Sequence, residues 1–252
     1  MGNNRPAVVW GQLAAHAAEQ GQAASIADVC AVAAGTALVS GAWVAVADDK
    51  GPGFVMCVTD PLGEQLAELQ LMLGEGPCYD VLASAAPVLA SDLDDAEFSR
   101  WWPAFTPEAR RLGAAAVFVF PLIVGVIRAG VMGLYRSSPG PLAAGQLGDL
   151  LILADAATVL LLDGADHAAH VWTETISAAK LDGQAPELAL HRAEVDQATG
   201  MLTEQLGVSA AQAFARLRAY AYAQDRRLAE VASDIVARRL RLHPDLAQDG
   251  EP

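Results

Sequence analysis

Cysteine is scarce in this chain of 252 residues: Cys30, Cys57 and Cys78 are widely spaced and form no CxxC pair. The five histidines (16, 167, 170, 191 and 243) make no Cys/His cluster along the sequence. Both absences argue against a disulfide framework and against a zinc site. Catalytic signatures are missing as well. There is no GxSxG, no GxxxxGK[ST] and no HExxH, and Gly74-Glu-Gly76 runs into Pro-Cys-Tyr79 instead of completing GxGxxG. No nucleophile elbow, phosphate loop, zincin helix or dinucleotide fingerprint is therefore expected. The sequence predicts no catalytic residue, no metal ligand and no cofactor.

Positive charge is also in short supply. Sixteen basic residues, fourteen of them arginine, face thirty acids, for a net charge of −14. With 53% hydrophobic and 18% charged residues, the chain is too apolar for disorder to be its main state. Its length allows one large or two medium domains. The opening Met1-Gly2-Asn-Asn-Arg-Pro6 is not a secretory signal, and it lacks the Ser or Thr that follows a myristoylated glycine. A cytoplasmic protein is expected. One run, Ala114 to Tyr135, is twenty-two residues long with Arg128 as its single charge, enough to span a bilayer. Pro121, three glycines and many β-branched residues point instead to two buried strands that turn at Val124-Gly125-Val126.

The scarce positive charge is unevenly spread. Residues 190–243 hold eight arginines against six acids, while residues 1–189 hold eight basic and twenty-one acidic side chains. A small basic unit on an acidic chain is a footprint of nucleic-acid or acidic-partner binding.

Periodicity then gives an organisation. Residues 7–39 read as one or two alanine-rich helices, with Ser25 as N-cap of the second. Trp43–Ala47 and Gly53–Thr59 read as a strand pair. Pro61–Leu73 reads as a helix, with Leu62, Leu66, Leu69 and Leu73 on one face. A short strand at 87–90, a short helix ending at Leu112, the 114–135 hairpin and a helix over 142–162 follow. That order predicts an α+β domain, an antiparallel sheet flanked by helices, over residues 7–163. Gly164, Asp182-Gly183 and Pro186 mark a partly helical connector over 164–186. An all-α domain of three helices is expected over 187–243, followed by an acidic tail at 244–252. The first of its helices carries Val195, Ala198, Leu202 and Leu206 on one stripe. The second opens on a capping box, Ser209 with Gln212. The third carries Leu228, Val231, Ala232 and Ile235 at helical spacing.

Particular residues then suggest families. Gln197-Ala-Thr-Gly-Met-Leu202, the Gly207-Val-Ser209 break, Ala213-Phe214-x-x-Leu217-Arg218-x-x-Ala221 and Leu228-x-x-Val231-Ala232 together resemble the ANTAR domain of bacterial transcription antiterminators. Upstream, Leu69-Gln-Leu-Met-Leu-Gly-Glu-Gly-Pro-Cys78, Arg100-Trp-Trp-Pro103, Phe118-Val-Phe-Pro-Leu122 and Gly133-x-Leu-Tyr135 are similar to the GAF domains that precede ANTAR domains in many actinobacterial proteins. The resemblance implies a regulator that binds paired hairpin loops in nascent RNA, so that a downstream terminator does not form. It implies that the GAF-like unit senses a small molecule or mediates dimerisation, and that the protein is a homodimer. No receiver pattern is present, so the resemblance does not extend to control by aspartyl phosphorylation.

Hairpin loops splay out their bases, so a reader needs cations for phosphates and donors or flat groups for bases. Arg216, Arg218, Tyr222, Arg226 and Arg227 form the expected RNA patch, aided by Gln197, Thr199 and Gly200 on the first helix. A solvated arginine face with tyrosines at the domain edge is the plainer alternative. For the GAF-like unit, Trp43, Cys78, Phe118 and Phe120 are the expected ligand-pocket residues. Cys78 also invites a redox role, yet Glu75 and Asp80 flank it and free cysteine is usually buried, so a structural thiol is expected. Asp92, Asp94, Asp95 and Glu97 do not match a calcium loop and read as a turn and helix start. Two further functions stay open on the residues alone: a DNA-binding helix-turn-helix factor, and a sensory or dimerisation protein that binds no nucleic acid.

Overall fold

Short-range signals set most of the helix ends. In the computed structural model, which describes residues 4–48, 51–182 and 187–242 (the backbone alone at 48, 54, 164–182 and 187–192), helix α1 is Arg5–Glu19 and α2 is Ile26–Ala37. Ser25 and Asp28 close a reciprocal capping box at the start of α2. Helix α3, Pro61–Leu73, begins with proline and is capped by Asp60, whose carboxylate accepts from the Leu62 and Gly63 amides. It stops at Gly74, which takes the left-handed conformation that a side chain resists.

The strands are β1 Gly41–Asp48, β2 Gly51–Val58, β3 Val88–Ala90, β4 Ala116–Val124 and β5 Ile127–Arg136. They form one antiparallel sheet in the order β2-β1-β5-β4-β3. The apolar run at 114–135 is thus a hairpin, β4 and β5, turning at Gly125 with φ 58°. The short helices α4 (Pro77–Ser84), α5 (Ala96–Trp101) and α6 (Phe105–Leu112) connect the strands, and α7 runs over Ala144–Asp182.

Successive strand side chains face opposite sides of a sheet. One side presents Ala42, Val44, Phe118, Phe120, Leu122, Met132 and Leu134 to Val9 and Leu13 of α1, Val29 and Ala33 of α2, and Leu150, Leu153 and Ala157 of α7. The other presents Trp43, Ala45, Val117, Val119 and Val131 to Leu66 and Leu69 of α3, Val81 of α4, Trp102 and Phe105. Each fully buried side chain of this size contributes about 1.5–3 kcal/mol of transfer free energy. The Trp43 indole lies over Gly133, its partner on β5, where a Cβ would come within 2.1 Å of the ring. Residues Ala144–Asp163 of α7 are long and apolar enough to cross a membrane by composition. In the fold, Leu150, Leu153, Ala154, Ala156, Ala157 and Leu161 of that stretch are buried against the sheet.

The partly helical connector expected over 164–186 is helical as far as Asp182, since α7 continues to that residue without a break. Gly164 costs a helix interior only about 1 kcal/mol, too little to end one. Residues 183–186 and the acidic tail at 244–252 lie outside the described residues. Two compact units are distinguished, Met1–Thr173 and Glu174–Pro252, so the division falls within α7. The second unit carries α8 Glu187–Leu206, α9 Ala210–Ala223 and α10 Leu228–Val236.

Candidate nucleic-acid interface

The terminal bundle is held by small aliphatic side chains. Ala198 and Leu202 of α8, Ala213, Leu217 and Ala221 of α9, and Leu228, Val231, Ala232 and Ile235 of α10 are buried. Gly207, at φ 64°, ends α8, and Ser209 opens α9 with the expected reciprocal capping box to Gln212. Gln205 of α8 donates to the Leu242 carbonyl at 2.7 Å, tying the segment after α10 to the bundle.

The proposed patch does not form one surface. Arg216 and Arg218 are two residues apart, so they point about 200° apart around α9. Tyr222 falls on the Arg218 side and Tyr220 on the Arg216 side, four residues along. Phe214 belongs to the first of these flanks. Its half-buried ring lies under the Arg218 guanidinium, 5.6 Å from the ring centre, and Tyr222 is 51% exposed. A guanidinium held over an aromatic ring, beside an exposed phenol, offers a cation and a flat surface together. On the other flank Arg216 is exposed, and among the described residues no carboxylate pairs with it.

Arg226 is engaged within the bundle. Its Nη2 donates to Asp234 Oδ2 at 2.7 Å, and its Nε lies 3.8 Å from Glu230 Oε2. Arg239 donates to the other Asp234 oxygen, also at 2.7 Å. The hydrogen bond to Asp234 raises the Arg226 guanidinium above its ordinary pKa, and the bonds from Arg226 and Arg239 hold Asp234 below its own. Two left-handed residues create this clamp. Asp225, at φ 49°, turns the chain so that Arg226 sits before α10, and Arg238, at φ 58°, folds Arg239 back towards Asp234. An open groove of about 410 Å³ results, where Arg226, Arg227 and Arg239 face Glu194, Glu230 and Asp234. Three cations there meet three carboxylates, so the groove adds little to an anion-attracting field. The clamp was legible in one respect: Glu230 and Asp234 lie four and eight residues after Arg226, the spacing of one helix face.

The α8 residues contribute unequally. Gln197 is exposed. Thr199 is half-buried, and its hydroxyl donates to the Val195 carbonyl at 2.8 Å, the usual internal bond of a helical threonine. Gly200 is exposed, and a Cβ there would meet nothing within 4 Å. Close helix packing is therefore not the reason for a glycine at this site.

The expected pocket in the first unit is a correction. Trp43 and Cys78 lie on one face of the sheet, Phe118 and Phe120 on the other, and all four are at most 1% exposed. Strand alternation separates them, so they are core and line no common cavity. The Gly74-Glu-Gly-Pro-Cys78 run is likewise a structural joint. Glu75 accepts from the Ala104 and Phe105 amides at the start of α6. The buried Gln70 amide oxygen accepts from the Cys78 amide at 2.8 Å. Burial pushes the Cys78 thiol up to about 12, which removes it as a nucleophile. Trp102 stacks on Phe98 and donates to Asp80 at 2.9 Å, while Trp101 is 55% exposed. The acidic cluster forms turns and a helix start: Asp92 accepts from the Asp94 amide, and Asp95 caps α5.

A five-stranded antiparallel sheet with helices on both faces and a bundle of three helices define a two-part architecture. The first unit has the GAF fold. It is similar to the GAF domain of a phosphoenolpyruvate-protein phosphotransferase from Coxiella burnetii, with a TM-score of 0.51, 16% identity, and coverage of 66% of this chain and 99% of that one. The alignment with the corresponding domain from Acinetobacter covers 69% of this chain and 99% of that one at 15% identity, with a TM-score of 0.47. Residues 185–236 match the family model of the ANTAR domain. The protein thus joins a GAF-fold unit to an ANTAR domain. No curated protein matches the chain.

Proposed function

We propose that this protein is a cytoplasmic RNA-binding regulator of transcription antitermination. The ANTAR match over 185–236 carries the reading. Residues 190–243 also hold half of the chain's basic side chains, eight against six acidic ones, on a chain whose net charge is −14. RNA hairpin loops in nascent transcripts meet the Phe214–Arg218–Tyr222 flank, with Arg216 adding charge from the opposite side of α9. Gln197 supplies a donor and acceptor from α8. Arg227, at the first turn of α10, borders the groove and takes a secondary place, and Arg226 is not a phosphate contact while Asp234 holds it.

The test is a salt series with the full-length protein and RNA carrying two hairpins. Log affinity should fall linearly with log salt, with a slope of roughly −0.7 to −0.9 per neutralised phosphate. The double variant Arg218→Ala/Tyr222→Ala should lose about tenfold or more in affinity, since stacking alone is worth about 1–3 kcal/mol per base. Unchanged binding in that variant removes the flank from the interface. Preference for duplex DNA over the hairpins in direct competition overturns the reading as a whole.

The GAF-fold unit serves as the sensory or dimerising part. Two RNA loops suit two ANTAR copies, and Trp10 on α1 and Leu151 and Val159 on α7 leave apolar side chains exposed on neighbouring helices. Arg5 ties these helices together through Asp149 and the Gly145 carbonyl. A homodimer is the expected state, and a monomer in sedimentation at micromolar concentration would overturn it.

A further inference from the structure

Two of the three thiols meet. Cys30 lies on α2 and is fully buried, while Cys57 lies on the edge strand β2 and is half-buried. The irregular pairing of β2 with β1 brings them together. Cys57 stands opposite Val44, but the next pair is Ala45 with Val55, so Met56 is an extra residue in the ladder. Cys57 and Met56 consequently both pack against the same core cluster, beneath α2. From above, the Cys30 thiol reaches both the Val44 backbone and the Cys57 thiol, to which it is hydrogen-bonded.

We propose that Cys30 and Cys57 are a hydroperoxide-oxidised dithiol, closing to a disulfide that ties α2 to the edge strand β2. The division of labour follows from the environment of each sulfur. The hydrogen bond from Cys30 lowers the pKa of Cys57, outweighing burial and the nearby Asp28 carboxylate. The same bond, with burial, raises Cys30 well above its ordinary value. Cys57 is also the more accessible of the two. It is therefore the attacking thiolate and Cys30 the resolving thiol.

The chemistry balances with a hydroperoxide as the oxidant. Ionised Cys57 attacks one peroxide oxygen, the O–O bond breaks, and hydroxide or alkoxide leaves and takes up the proton that Cys57 released. Cys57 is now a sulfenic acid. The Cys30 sulfur attacks the Cys57 sulfur, the S–O bond breaks, and hydroxide departs with the Cys30 proton as water. Two thiols have given two electrons to one peroxide. Cys78 takes no part, because it is buried in the core on the opposite face of the sheet.

Hydrogen peroxide is added to the reduced full-length protein, followed by thiol titration under denaturing conditions and peptide mapping. The thiol count should fall from three per chain to one, with a single linked peptide joining Cys30 to Cys57. Cys78→Ser should leave that link in place. Cys30→Ser should stop at a Cys57 sulfenic acid, trapped by dimedone. Three thiols surviving peroxide, a link that includes Cys78, or a Cys57–Cys57 link between chains would each overturn the proposal. The wild-type map decides even where a cysteine variant fails to fold. RNA binding is not part of the readout.

Discussion

The two units place their polar groups in opposite ways. Asp28, Gln70, Thr106 and Thr158, the buried polar residues among those described, all lie in the GAF-fold unit, and each is hydrogen-bonded. The described core of the ANTAR bundle is aliphatic throughout, and its charged groups meet at the surface. Buried polar groups specify one arrangement, since leaving any of them unpaired costs about 1–3 kcal/mol. Surface ion pairs contribute about 0.2–1 kcal/mol and leave the fold largely indifferent to them. In the first unit, polarity maintains the structure. In the second it is available to a partner, wherever the protein's own carboxylates do not claim it first.

The sharpest way to break this contrast is at Trp43. Trp43→Ala empties a fully buried site and should destabilise the GAF-fold unit by about 3–5 kcal/mol in urea unfolding. RNA affinity of the folded fraction should stay unchanged, and a parallel loss of RNA binding at low urea would show that the units are not separable.

A smaller effect is expected from acid. Burial works to raise the Asp28 pKa, but the hydrogen bonds from Ser25 and His16 outweigh it and leave it below 3.8. The stability supplied by Asp28 is therefore present above the unfolded value of about 3.8 and is lost as pH falls through the lower folded value. Urea midpoints measured from about pH 5 downwards should fall, and Asp28→Asn should flatten that fall. A variant whose midpoint drops in parallel with the wild type would remove Asp28 from the account.

The smallest effect should come from Arg226→Ala. Breaking this solvent-screened ion pair should lower the thermal midpoint of the bundle only slightly. Its RNA affinity should change less than that of the Arg218/Tyr222 variant. If Arg226→Ala proves the more damaging to binding, RNA displaces Asp234 and the clamp is part of the interface.

Much of the fold is legible wherever the cause is local. Asp60, Pro61 and Gly74 bound α3 to the residue, because a cap, a fixed φ and a left-handed terminus all act within a few bonds. Ser25 and Ser209 announce their helices for the same reason. The 114–135 run is legible as a hairpin because Gly125 and the β-branched residues around it favour a turn between strands. The proposed pocket fails because the face a strand residue takes depends on its register with partners far away in sequence. Trp43 and Phe118 lie on different strands, and no local signal tells them apart. The arginine patch fails differently: spacing on a helix was readable, but Arg226 stands outside α9, and its direction follows from the turn at Asp225.

Composition and motif spacing by themselves determined that this chain has an acidic α+β unit and an arginine-rich helical one, since propensity, capping and charge act residue by residue. The folded molecule decided which arginines Asp234 holds, that Trp43 and Phe118 point away from each other, and that Cys30 meets Cys57. Those outcomes depend on strand register and chain reversal, which arise from contacts that exist only once distant segments have packed.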